Sequence, residues 1–252
     1  MTLPLRADWR SFVRFFRRPQ NAEKSCGANG NKKMKPKTLG LIHTSAMLVP
    51  VFAQLCKEKL PGVEVFNIAD DSLIKDVIRR GELTPSTARR VAGHVASAEA
   101  AGADYILVTC SSIGRAVEAA ATQTKVPVLR VDQPMADRAV QVGEKIGVIA
   151  TLPTTLEPTA DLIQRRAAKA GKKIALTSRL CEGAFDALMN GDTAKHDAMV
   201  AAALKELSRQ VEVIVLAQAS MARVVDSLAT ADKRVPILAS PGIAVDYLKT
   251  VL

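Results

Sequence analysis

From residue 38 onward, short apolar runs alternate with longer stretches of helical spacing. Residues 39–43 (LGLIH) form a first apolar run, and 46–60 follow with helical character. Residues 63–68 (VEVFNI) predict a second strand, and 85–101 an Ala-rich helix with Pro85 in its first turn. Residues 105–109 (YILVT) are apolar without a break, the pattern of a strand covered on both faces. A helix over 113–121 and a strand over 127–131 complete the set. This alternation predicts an α/β protein with a mostly parallel sheet.

The pattern then restarts. Ile146-Gly-Val-Ile-Ala-Thr151 repeats Leu39-Gly-Leu-Ile-His-Thr44, and 173–178 (KIALTS) answers the second strand. Val213-Ile-Val-Leu-Ala-Gln218 repeats Tyr105-Ile-Leu-Val-Thr-Cys110, and Arg234-Val-Pro-Ile-Leu238 repeats Lys125-Val-Pro-Val-Leu129. The offsets are 107, 108 and 109 residues, a drift that small insertions explain. The expectation is two pseudo-symmetric lobes, 38–140 and 141–252, each a mostly parallel sheet flanked by helices. Terminal elements are open to exchange between the lobes. Ligands of parallel sheets sit beyond the C-terminal strand ends, so the cleft between the lobes is the expected site.

The net charge of +10 is concentrated at one end. Residues 1–37 carry ten basic and two acidic residues, which leaves +2 for the remaining 215. A general polyanion-binding role has no basis in the body of the chain. With 4% aromatic residues, base stacking on nucleic acid is not expected either. Trp9, Phe12, Val13 and Phe16 fall at helical spacing beside Arg6, Arg10, Arg14 and Arg17, so residues 1–20 suit a membrane-surface helix or a transit peptide. The plainer expectation is a disordered basic extension over 1–37. No apolar run reaches the length of a membrane span. The four cysteines lack CxxC spacing and read as reduced thiols, which suits the cytoplasm. No metal is expected, because no ligand cluster is spaced for one. No dinucleotide site is expected, because no GxGxxG turn follows Leu39-Gly40 or Ile146-Gly147.

The candidate chemistry lies at the strand ends. Cys110 ends an apolar strand, is followed by Ser111 and Ser112, and opens a helix whose positive end favours thiolate. Pseudo-symmetry sets Gln218, with Ala219 and Ser220, opposite it. The same relation joins Thr44 and Ser45 to Thr151, Thr154 and Thr155. For any one of these hydroxyls alone, helix N-capping is the plain reading, although a capping turn also holds anions. His43 reads as a satisfied strand-end histidine, Asp70 as a helix cap and Cys56 as core. Cys181 lies near a loop, close enough to the cleft edge to be considered.

Val108-Thr-Cys-Ser-Ser112, Leu216-Ala-Gln-Ala-Ser-Met221, Gly147-Val-Ile-Ala-Thr151 and the doubled layout resemble the aspartate/glutamate racemase superfamily over about residues 38–252. That resemblance implies a cofactor-independent enzyme acting on a small carboxylate, and a homodimer. It also implies two cysteines, one per lobe, on opposite faces of the acidic carbon. Cys110 matches the first, whereas Gln218 stands in place of the second. An amide cannot carry protons near neutrality, so a symmetrical two-thiol racemase is not the simple expectation. Proton transfer by Cys110 alone is the leading reading. A single-cysteine lyase of decarboxylase type is the alternative, and a non-catalytic carboxylate-binding protein a further one. The hydroxyls of Thr44, Ser45, Ser111, Ser112, Thr151, Thr154, Thr155 and Ser220, with Ala219 and the Gln218 amide, are the expected substrate contacts.

Overall fold

The computed structural model describes residues 36–252, so the basic extension apart from Pro36 and Lys37 lies outside the described residues. The described chain is one compact unit. Its first half runs β1 (Thr38–His43), α1 (Leu48–Lys59), β2 (Glu64–Ala69), α2 (Asp71–Arg80), α3 (Pro85–Ala100), β3 (Tyr105–Val108), α4 (Gly114–Ala121), β4 (Val128–Arg130) and α5 (Gln133–Val142). The second half repeats the theme with β5 (Lys145–Ala150), α6 (Pro153–Lys169), β6 (Ala175–Leu180), α7 (Ala184–Met189), α8 (Thr193–Leu207), β7 (Val213–Leu216), α9 (Ala222–Ser227), β8 (Ile237–Ala239) and α10 (Ser240–Leu248).

Each half holds a four-stranded sheet, in the order β2-β1-β3-β4 and β6-β5-β7-β8, with every pairing parallel. The paired registers correspond: Ile42 opposes Val108 in one half and Ile149 opposes Leu216 in the other. Several sequence-predicted strand boundaries shift. The strand expected over 173–178 begins at Ala175, where pairing with Lys145 starts, and its residues are mostly exposed. The last strand is confined to Ile237–Ala239, and β7 stops at Leu216, before the turn that carries Gln218.

The strands are apolar on both faces because each sheet is sandwiched. On β7, Val213 and Val215 face one core, and Ile214 and Leu216 face the other. Each sheet is covered in part by a helix that follows the last strand of the other sheet. On α5, Met135, Ala136, Ala139 and Val140 pack against Ile146, Val148 and Val213 of the second sheet, beside Leu162 and Ile163 of α6. On α10, Ala244, Val245 and Leu248 pack against Leu39, Leu41, Leu107 and Leu129 of the first sheet, beside Phe52 of α1. The two halves thus exchange their last helices. Fully burying a side chain of this size is worth about 1.5–3 kcal/mol, so each exchanged helix contributes substantially to the half it joins. Among the described residues, no helix is long and apolar enough to cross a membrane.

Candidate active site

Cys110 follows β3 and precedes a one-turn 3-10 helix, Ser111–Ile113, which leads into α4. The residue is half-buried, whereas Ser111, Ser112 and Ile113 are buried. Burial is the largest influence on the thiol and pushes it up from its ordinary value. Against that act the Thr44 hydroxyl, the backbone N–H groups of Ser112 and Ile113, and the Ser112 hydroxyl, all placed to donate to the sulfur. The position of Cys110 led to an expectation of thiolate, yet desolvation outweighs the donors and the resting group is a thiol. Its cradle is nonetheless built for the anion, since only a thiolate gains from four converging donors.

The second half carries a matching arrangement with different chemistry. Gln218 follows β7 and precedes the one-turn 3-10 helix Ala219–Met221. Its Oε1 accepts from the backbone N–H of Thr151 at 2.6 Å and from the Thr151 hydroxyl at 3.0 Å. An N–H can only donate, so this contact fixes which end of the amide carries the oxygen. The Nε2H₂ end is left to donate elsewhere. Thr44 thus serves Cys110 as Thr151 serves Gln218, each threonine directly following the first strand of its half.

A direct bond joins the two turns. The hydroxyls of Ser112 and Thr155 lie 2.9 Å apart, both buried, one from each half. The Thr154 hydroxyl is buried without a partner. Neither Thr154 nor Thr155 caps α6: its N-cap is Leu152, without a side-chain cap bond. Thr44 and Ser45 do not cap α1 either, whose N-cap is Met47. The plain capping reading therefore fails for these four residues. Ser45 lies in the turn before α1, its carbonyl accepting from Leu48 N–H, and Ala219 and Ser220 are half-buried beside Gln218.

The surrounding residues have structural partners. His43 is buried between Thr109, 2.9 Å from Nδ1, and Asn67, whose Oδ1 accepts from Nε2–H at 3.0 Å. Burial lowers its pKa, partly offset by the Asn67 bond, so the ring is neutral and ties β1 to its neighbours. Asp70 caps α2 through Ser72 N–H and also accepts from Arg90 and His94. Cys56 is buried in α1, its thiol pushed up to about 11 by desolvation. Cys181 follows β6 and packs with Ile149, Ala184 and Val200, on the sheet face opposite α6. Burial raises its thiol too.

Sequence reasoning missed Arg130 and Gly114. Arg130 ends β4 with its side chain 1% exposed, and its guanidinium lies where a Cβ on Gly114 would be. The signal was an arginine and an aspartate two apart, flanking Val131 inside an apolar run.

Comparison with known proteins agrees with this geometry. The family model described as Asp/Glu/Hydantoin racemase matches residues 39–248. A glutamate racemase isoform from Bacillus anthracis superposes with a TM-score of 0.66 at 20% identity, covering 86% of this chain and 82% of that one. An aspartate racemase from Picrophilus torridus gives 0.64 at 13%, covering 85% and 94%. An allantoin racemase from Klebsiella pneumoniae gives 0.63 at 17%, covering 85% and 87%. Among curated proteins none matches. With its two parallel sheets, its paired strand-end turns and a match spanning nearly all the described residues, the chain belongs to the Asp/Glu/hydantoin racemase family and is a racemase-type enzyme.

Proposed function

We propose that the chain transfers protons at the acidic carbon of a small carboxylate without a cofactor, with Cys110 as acid and base and Gln218 as a fixed hydrogen-bond donor. The observation that carries this reading is the unequal pair of strand-end turns, in which Thr44 meets a thiol and Thr151 meets an amide oxygen. As thiolate, Cys110 takes the proton from the carbon, and the electron pair moves into the adjacent carboxylate as an enediolate. The Gln218 Nε2H₂ group and the hydroxyls of the Thr/Ser turns stabilise that charge. The thiol then returns the proton. Because the amide carries no proton of useful acidity, one face of the carbon is served.

That asymmetry also favours a second reading, a lyase of decarboxylase type. There the enediolate forms by loss of carbon dioxide, and Cys110 protonates it once. Incubating the enzyme with small amino, hydroxy and aryl-substituted malonic acids in deuterated water distinguishes the two by NMR. Exchange of the α-proton supports proton transfer, and release of carbon dioxide supports the lyase. Cys110→Ser abolishes either reaction, and Gln218→Cys adds inversion to exchange. Full turnover by Cys110→Ser would overturn the role of the thiol. Binding of these acids with no turnover would favour a non-catalytic carboxylate-binding protein.

A further inference from the structure

Arg130 is a costly residue in an unusual place. Its Nε and Nη2 donate to both oxygens of Asp132 at 2.7 and 2.8 Å, and Asp132 is fully buried. Its Nη1 donates to Glu118 of α4 at 2.5 Å. A buried ion pair is often no more stabilising than a well-packed apolar pair, so stability alone does not explain this one. Its location supplies another reason. A Cβ on Gly114 would lie 2.2 Å from Arg130 Cζ, so the guanidinium fills the hollow left by the missing side chain. Gly114 directly follows Ser112 and Ile113, whose N–H groups donate to Cys110.

The ion pairs continue into the other half. Glu118 Oε1 also accepts from Arg165 Nη2 on α6 at 2.8 Å. Arg165 Nε donates to Asp161 at 3.0 Å, and Asp161 accepts from Arg115 of α4 at 2.7 Å. The chain Asp132, Arg130, Glu118, Arg165, Asp161, Arg115 alternates in sign and clamps α4 to α6. The first turn of that same α6 carries Thr155, which holds Ser112. The Cys110 turn is thus gripped at two points by the second half, once through a hydroxyl pair and once through the ion chain.

We propose that Arg130 is a positioning residue for Cys110, and that the Glu118–Arg165 clamp fixes the donor turn against α6, so that thiol reactivity depends on contact between the halves. The proposal rests on the reading of Cys110 as the reactive group. Its test uses no substrate. The full chain is alkylated with iodoacetamide from about pH 6 to 10, the label on Cys110 is quantified by peptide mass spectrometry, and melting is followed in parallel. Removing Arg130 would strand Asp132 in the core, so the informative variants are Arg165→Ala, on the partly exposed end of the clamp, and Gly114→Ala, which evicts the guanidinium.

Both variants are expected to slow alkylation of Cys110 about tenfold across the rising limb of the profile, the change that follows when a thiol titrates about one pH unit higher. Arg165→Lys, which keeps one of the two contacts, falls between. Lys205→Ala breaks the surface pair with Asp232 away from the turn and keeps the wild-type profile. Variants that melt lower yet alkylate like wild type would overturn the positioning role while leaving Cys110 as the reactive thiol. A wild-type Cys110 that resists alkylation throughout would overturn that reading and the proposal with it.

Discussion

Gln218→Glu changes one end of a side chain and spares the other. The contacts to Thr151, at 2.6 Å from the backbone N–H and 3.0 Å from the hydroxyl, need an acceptor, and a carboxylate oxygen supplies it as well as the amide oxygen does. Folding stability should change little. The other end turns from an N–H₂ donor into a second acceptor. A hydrogen bond to a charged partner is worth about 1.5–3 kcal/mol, so losing the donor to the enediolate slows exchange roughly tenfold to a hundredfold. Repulsion between the new carboxylate and the substrate adds to that loss. Gln218→Leu is the complement. It removes the donor and also strands the buried Thr151 N–H and hydroxyl, at a cost of about 1–3 kcal/mol in stability. Deuterium exchange by NMR and urea unfolding separate the effects: the Glu variant loses activity alone, and the Leu variant loses both. Exchange by the Glu variant at or above the wild-type rate would refute the assigned donor role. Wild-type stability in the Leu variant would refute the Thr151 contact.

The bond between Ser112 and Thr155 is open to a double-mutant cycle. Ser112→Ala and Thr155→Val each cost about 1–2 kcal/mol in urea unfolding, and the double variant costs less than their sum by about 1 kcal/mol; strict additivity would show that the hydroxyls do not interact. His43 predicts a pH effect. Its folded pKa lies below the ordinary 6.5, so between the two values the unfolded chain binds more protons, and stability present above about pH 6.5 is lost as pH falls below it. The urea midpoint should therefore drop between about pH 7 and 5 in wild type, and less in His43→Gln; equal slopes would show that another group carries the effect.

The duplication was legible because buried parallel strands must be apolar on both faces, and runs such as YILV and VIVL are recognisable at any offset. Strand ends were legible for the same reason, since the first polar residue after each run marks the turn that carries Thr44, Cys110, Thr151 or Gln218. Edge strands were less so. β6 is largely exposed, so burial leaves little signal and pairing with β5 sets its start. Nor does an amphipathic helix announce which sheet it covers, so the partners of α5 and α10 emerged only from packing. The state of Cys110 was misjudged because the sequence shows the donors around a thiol but not the loss of water that opposes them. The orientation of the Gln218 amide likewise depends on Thr151, distant in sequence and adjacent only once β5 and β7 pair.

The exchange of α5 and α10 has a bearing on how the chain is made. A nascent polypeptide leaves the ribosome N-terminal end first. The β1–β3–β4 sheet therefore forms with one face covered by α1 alone, because α10, which completes that cover, follows the second sheet in sequence. Leu39, Leu41, Leu107 and Leu129 have Phe52 beside them early and gain Ala244, Val245 and Leu248 only once the second half is made. Completion of the first core and assembly of the paired turns are thereby tied to synthesis of the second half.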